Sequence, residues 1–128
     1  MSYPTKYRDT KEHEWAELIS PTQIRVGITD HAQSSLGDIV YLDLPKTGKD
    51  LNSHETFGVV ESIKAVSDLY SPVKGKVVQV NSDLPSEPSK INQNPHDEWL
   101  IVIEAADAKA QYDNLLDAGA YSEYVKTL

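Results

Sequence analysis

Apolar and polar residues alternate with a period of two along most of this 128-residue chain. Gln23–Ile28 reads QIRVGI, with Ile24 and Val26 on one face. Asp38–Leu44 reads DIVYLDL, which puts Val40, Leu42 and Leu44 on one side. TFGVVESI at Thr56–Ile63, KVVQVN at Lys76–Asn81 and WLIVIE at Trp99–Glu104 complete the set. These runs are short, rich in β-branched residues and broken by Pro, Gly and Asn, so each predicts a strand. A helical period occurs in only two places. Thr29–Leu36 predicts a short helix, with Thr29 or Asp30 to cap it and Gly37 to stop it. Asp107–Leu116 carries Ala108, Tyr112, Leu115 and Leu116 at helical spacing, with Gly119 as its stop. Tyr121, Tyr124, Val125 and Leu128 extend it as a second short turn. The prediction is a mainly β body with helices as trimmings.

A weak repeat divides that body. Gly37 begins GDIVYLDLP and Gly75 begins GKVVQVNSDLP. Each is followed by a polar loop and a second strand, FGVVE in one half and WLIVIE in the other. Two similar halves predict two small antiparallel sheets packed face to face. Their inner faces are expected to carry Val40, Leu42, Val59, Val78, Val80, Leu100 and Val102, or immediate neighbours, because a one-residue error flips the face.

The halves meet at ESIKAVSD, Glu61–Asp68. Read outward from Lys64–Ala65, residue types match: Ile63 with Val66, Ser62 with Ser67, Glu61 with Asp68. A two-residue hairpin loop at Lys64–Ala65 would set these pairs opposite each other and project Lys64 at the tip. Two local rules are then broken. Lys-Ala is a poor two-residue loop, and Glu61 faces a like charge at Asp68. Broken rules at one tip are a reason to suspect function, although the hairpin alone reads more simply as an ordinary exposed turn lysine.

Composition narrows the classes. Twenty acidic residues against 12 basic ones leave a net charge of −8, which argues against a nucleic-acid partner. There is no cysteine, so neither a disulfide framework nor a thiolate metal site is expected. No apolar run approaches membrane-spanning length, and MSYPTKYRDTKEHEW lacks the apolar stretch of a secretory signal. A single soluble, cytoplasmic domain over residues 1–128 is the expectation. His13, His31, His54 and His96 are scattered and make no H-E-x-x-H pair, so no metal site is expected. G-x-S-x-G, P-loop and dinucleotide glycine motifs are absent.

ESIKAVSDLYSPVKGKVVQVN resembles the lipoylation segment of the H protein family of the glycine cleavage system. KEHEW at Lys11–Trp15, VGITDHAQSSLGDIVYLDLP at Val26–Pro45 and the terminal LLDAGAYSEY resemble further family segments in the family order. The likeness runs from about Tyr7 to Tyr124. Lipoyl domains of 2-oxo-acid dehydrogenases usually read D-K-A at the tip, and biotin carriers M-K-M; here the tip is I-K-A. NPHDEWL at Asn94–Leu100 departs from the family's D-P-Y-G-x-G-W-L, lacking both glycines and one residue.

The resemblance implies a lipoyl-domain-like barrel-sandwich hybrid with a C-terminal helix and a lipoyl-binding core over residues 25–107. It implies a non-catalytic monomeric carrier with lipoate in amide linkage on Lys64. Its arm would take the aminomethyl group of glycine from the P protein, a decarboxylating glycine dehydrogenase. It would deliver that group to the T protein, an aminomethyltransferase, and be reoxidised by the L protein, dihydrolipoyl dehydrogenase. A lipoate ligase or lipoyl transferase would attach the cofactor. Carried over by motif, Glu14 and Asp68 would line the cleft where the arm docks, since carboxylates suit a protonated amine. A solvated surface acid is the alternative for each. Glu61 would help the lipoylating enzyme read the hairpin. If the chain is a processed eukaryotic one, its compartment would be the mitochondrial matrix. A lipoyl donor or store for other lipoyl proteins is the second reading.

Overall fold

The computed structural model describes residues 3–128, so the first two residues of the N-terminal stretch lie outside the described residues. Among the described residues, nine strands form two antiparallel sheets. In chain order they are β1 (Arg8–Asp9), β2 (Glu14–Ser20), β3 (Gln23–Ile28), β4 (Ile39–Asp43) and β5 (Asp50–Leu51). Then follow β6 (Thr56–Ser62), β7 (Val66–Tyr70), β8 (Gly75–Val80) and β9 (Ile101–Glu104). The larger sheet runs β1-β2-β3-β9-β8-β5 and the smaller β4-β6-β7. Four short helices decorate them: α1 (Asp30–Leu36), α2 (Lys90–Gln93), α3 (Ala108–Asp113) and α4 (Ala118–Val125).

The two repeat halves fall in different sheets, β4–β6 in the smaller and β8–β9 in the larger. Each first strand bulges at the same place. Pairing skips between Ile39 and Tyr41 in one half and between Val77 and Gln79 in the other. A bulge inserts an unpaired residue and re-aims those after it. Val40 and Val78 are those residues, and both are exposed, at 56% and 38%. Strict alternation places them inside. Their neighbours Ile39 and Val77 are buried instead. Leu42, Leu100 and Val102 are inside as expected, and Val60 rather than Val59 lies in the core. An apolar cluster including Ile24, Val26, Ile39, Leu42, Val60, Val77, Ile101 and Ile103 fills the space between the sheets.

Three strands have no period to betray them. β1 and β5 are two residues long. In β2, Glu14, Trp15 and Ala16 are buried in succession, so alternation fails there. α1 forms where its punctuation predicts. The Thr29 side chain accepts from the Ala32 N–H at 3.2 Å, a cap that contributes about 1 kcal/mol. Gly37 ends the helix at φ 80°, a left-handed conformation that favours glycine. At the C-terminus Gly119 is not a stop. It lies in the first turn of α4, because Asp117 caps that helix by accepting from the Ala120 N–H at 2.8 Å. Leu116, between α3 and α4, is held extended by two backbone bonds with Asp9.

Candidate functional site

Lys64 is exposed on the turn between β6 and β7. The hairpin register differs from the palindrome. Glu61 faces Val66, Val60 faces Ser67 and Val59 faces Asp68, so the turn centres on Ile63–Lys64. The expected opposition of Glu61 and Asp68 does not occur, and an apolar partner for Glu61 removes the like-charge conflict. The objection to Lys-Ala in the turn is also met locally. Ser62 N–H donates to Ala65 C=O at 2.8 Å, and the Ser62 hydroxyl accepts from the N–H groups of Lys64 (3.3 Å) and Ala65 (3.1 Å). A serine side chain thus does the work that left-handed Asn-Gly does elsewhere. Ser62→Ala should release both amides. Their hydrogen exchange at the tip should accelerate roughly fivefold, with little change in melting.

The tip leans on the corner between α1 and β4. Ile63 N–H donates to Asp38 C=O at 3.1 Å, and the Lys64 chain crosses Gly37. A Cβ at Gly37 would lie 3.4 Å from Lys64 Cε. Lys64 makes no salt bridge among the described residues. Its primary amine is therefore unencumbered for acylation, and lipoate fits this tip.

From Gly37, α1 leads back about 10 Å to its N-terminus. There Thr29 N–H donates to His13 C=O at 3.0 Å, and the His31 ring lies 4.5 Å from that of His13. Glu14 follows immediately. It is 2% exposed. Its carboxyl accepts from Thr10 Oγ1 at 2.9 Å and from Tyr70 N–H, at the far end of β7, at 3.3 Å. Burial pushes its pKa up to about 8, against the smaller opposing effect of those hydrogen bonds. An acid group with a proton to give therefore sits on the segment bonded to the N-terminal end of α1, the helix whose other end lies under Lys64.

Asp68 is not brought to Glu14. It is exposed on the outer face of β7, across from Val59. The strand residue that touches Glu14 is Tyr70, two positions on. Glu61 is half-buried between Tyr41 and Val66, beside exposed Ile63. These residues surround the lysine with a mixed apolar and acidic surface, suited to a partner that reads the hairpin.

Several neighbours carry no sequence signal. Thr10, Tyr70 and Tyr121 reach this region only through folding. The atypical loop is anchored by its carbonyls: Trp15 Nε1–H donates to Pro95 C=O at 2.9 Å, and the Tyr7 hydroxyl to His96 C=O. Burial holds His96 below the usual imidazole pKa, and its Nε2 accepts from Asp30 N–H at the start of α1. A cavity of about 330 Å³ bounded by Asp50, Leu51, Lys74 and Glu104 contains neither Lys64 nor Glu14. No helix among the described residues is long and apolar enough to cross a membrane.

The chain is similar to known proteins of one family. The model of the family described as Glycine cleavage H-protein matches residues 6–128. A glycine cleavage system H protein of Acidobacterium capsulatum is 52% identical over 126 residues, covering 98% of this chain and 96% of the relative. One from Bacillus licheniformis is 46% identical over 127 residues, covering 98% of each. The crystal structure of a glycine cleavage system H protein from Mycobacterium marinum superposes with a TM-score of 0.87 at 32% identity. It covers 97% of this chain and 99% of that one.

Proposed function

This chain belongs to the glycine cleavage H-protein family and so is a carrier component of the glycine cleavage system, and we propose that it carries lipoate in amide linkage on Lys64. The observation that supports this reading most directly is the tip itself. A single exposed, unpaired lysine stands on a serine-braced hairpin over one end of α1, and the other end of α1 is bonded to the segment that carries a buried carboxyl. The lipoyl group, when attached, supplies a disulfide that takes up the aminomethyl group of glycine from the P protein. The T and L proteins are the proposed later partners, and a lipoate ligase or lipoyl transferase the proposed loading enzyme.

The chain's own residues position and shelter. Ser62 fixes the tip. Lys64 carries the arm across Gly37 and along α1. Glu14 receives the ammonium of the loaded arm in a site closed to water. A buried carboxyl with a pKa of about 8 is mostly neutral at pH 7 when the site is empty. An arriving ammonium favours the carboxylate, so docking releases a proton from Glu14. Docking should therefore tighten as pH rises toward 8. Asp68, on the outer face of β7, attracts the cationic arm from outside rather than holding it. Glu61 is the proposed contact for the lipoylating enzyme.

The test is the decay of aminomethyl-loaded protein with no T protein present. Glu14→Ala should leave lipoylation unchanged and speed release of ammonia and formaldehyde roughly tenfold, because a charge-assisted hydrogen bond is lost. Equal decay in both proteins would make Glu14 a structural acid only. A role as lipoyl donor or store is the competing reading. Failure of the lipoylated chain to accept an aminomethyl group from glycine and P protein would favour it.

A further inference from the structure

The phenol of Tyr121 joins three elements that the proposed function uses but leaves unexplained. Tyr121 lies on α4 and is fully buried. Its hydroxyl is 2.8 Å from His13 Nδ1 and 2.7 Å from Thr29 Oγ1. His13 directly precedes Glu14, and Thr29 is the N-cap of α1, the helix whose other end lies under Lys64. One side chain from the C-terminal helix thus bridges the carboxyl-bearing segment and the helix whose other end lies under Lys64.

One proton arrangement uses all three groups. Thr29 Oγ1 already accepts from Ala32 N–H, so its own O–H is free to donate to Tyr121 Oη. The Tyr121 O–H then donates to His13 Nδ1. This requires a neutral His13 with its proton on Nε2. Burial and the neighbouring His31 lower the pKa of His13, and burial raises that of Tyr121, so both groups are neutral near pH 7. A second observation shows why a clamp is needed. His13 has φ 72°, a left-handed conformation that non-glycine residues adopt at a cost. Relaxed to an ordinary conformation, the backbone at His13 would turn the chain that follows it, and Glu14 is the next residue.

We propose that Tyr121 is a positioning residue for the arm-docking site, its hydroxyl clamping the His13–Glu14 segment against the N-terminus of α1 so that the Glu14 carboxyl faces the arm. This rests on the reading that Glu14 receives the ammonium. A plain packing role is the alternative, since the Tyr121 ring also makes an edge contact with Tyr3 at 4.8 Å. Tyr121→Phe separates the two, because it keeps the ring and removes only the clamp.

The experiment uses the lipoylated full chain. Four proteins are loaded and their decay followed without T protein: wild type, Tyr121→Phe, Glu14→Ala and the double variant. Tyr121→Phe should speed decay roughly three- to tenfold, the range expected for one hydrogen bond. The double variant should decay no faster than Glu14→Ala alone, because both changes act through one carboxyl. Nitrogen chemical shifts of the His13 ring should report the Nε2–H tautomer in wild type and a tautomer mixture in Tyr121→Phe. Lipoylation should be equal in all four. Fast decay in Glu14→Ala with wild-type decay in Tyr121→Phe would overturn the clamp and leave the Glu14 reading standing. Wild-type decay in Glu14→Ala would overturn the Glu14 reading, and the clamp with it. Additive effects in the double variant would also overturn the clamp. If Tyr121→Phe unfolds at the assay temperature, His13→Asn replaces it. Asn tolerates the left-handed backbone but lacks the ring nitrogen, so the same acceleration and the same non-additivity are expected.

Discussion

Lys64→Arg is expected to abolish lipoylation, and carrier function with it, while the fold and the charge are kept. The side chain at this position is exposed and unpaired, so its replacement should move the melting temperature by no more than about 2 °C. The chemical change is large all the same. An amide bond to lipoate needs a primary amine that can lose its proton, and a guanidinium supplies none. Lys64 stands on the serine-braced β6–β7 turn, whereas Lys90, Lys109 and Lys126 pair with carboxylates at helix spacing. The measurement is intact mass after incubation with lipoate, ATP and a lipoate ligase, followed by aminomethyl loading. A lipoyl mass increment on the Lys64→Arg variant, or its loading at the wild-type rate, would sink the assignment of Lys64.

The second large effect concerns pH. Glu14 has its pKa raised from 4.5 to about 8 by burial. The folded protein therefore holds a proton that the unfolded chain releases above about pH 4.5. The stabilising linkage is complete below that pH and is lost as pH rises through 8. Asp9, buried at 1% exposure with one carboxylate oxygen unpartnered, shifts the same way, to about 7. The empty protein should thus be most stable in mild acid and should soften between pH 5 and 9. Glu14→Gln imitates the protonated acid and cannot ionise. It should melt like the wild type near pH 5. By pH 9 it should be more stable by an amount on the order of 4 kcal/mol, or roughly 10 °C. The Asp9 contribution is common to both proteins and cancels in the comparison. Thermal melts of both proteins across this range decide the matter. Parallel curves would mean that Glu14 is ionised in the folded protein.

Much of the fold was written in local patterns. The strand runs that became β3, β4, β6, β8 and β9 were legible because one face of each is buried and β-branched residues mark it. The α1 helix was legible because its cap and its glycine stop act within one turn of chain. The repeat of GDIVYLDLP in GKVVQVN was legible too, and the two halves carry the same bulge. That bulge was not, since alternation assumes a regular ladder, and only pairing to β6 and β9 shows which valine is extruded. β1 and β5 were too short to hold a period.

For the site, the sequence by itself determined one lysine in a near-symmetric hairpin and the resemblance that gives it meaning. The tertiary structure decided the register, because Ser62 caps the turn and shifts its centre to Ile63–Lys64. It also separated two carboxylates that the motif treated alike. Glu14 is enclosed by Thr10 and Tyr70, while Asp68 stays on an outer face. The physical reason is that a motif specifies residue type and order, which act over a few bonds. Burial, and with it the protonation state of a carboxyl, depends on which distant segments pack over it. Tyr121 lies 108 positions from His13 along the chain, yet 2.8 Å from it in the folded protein.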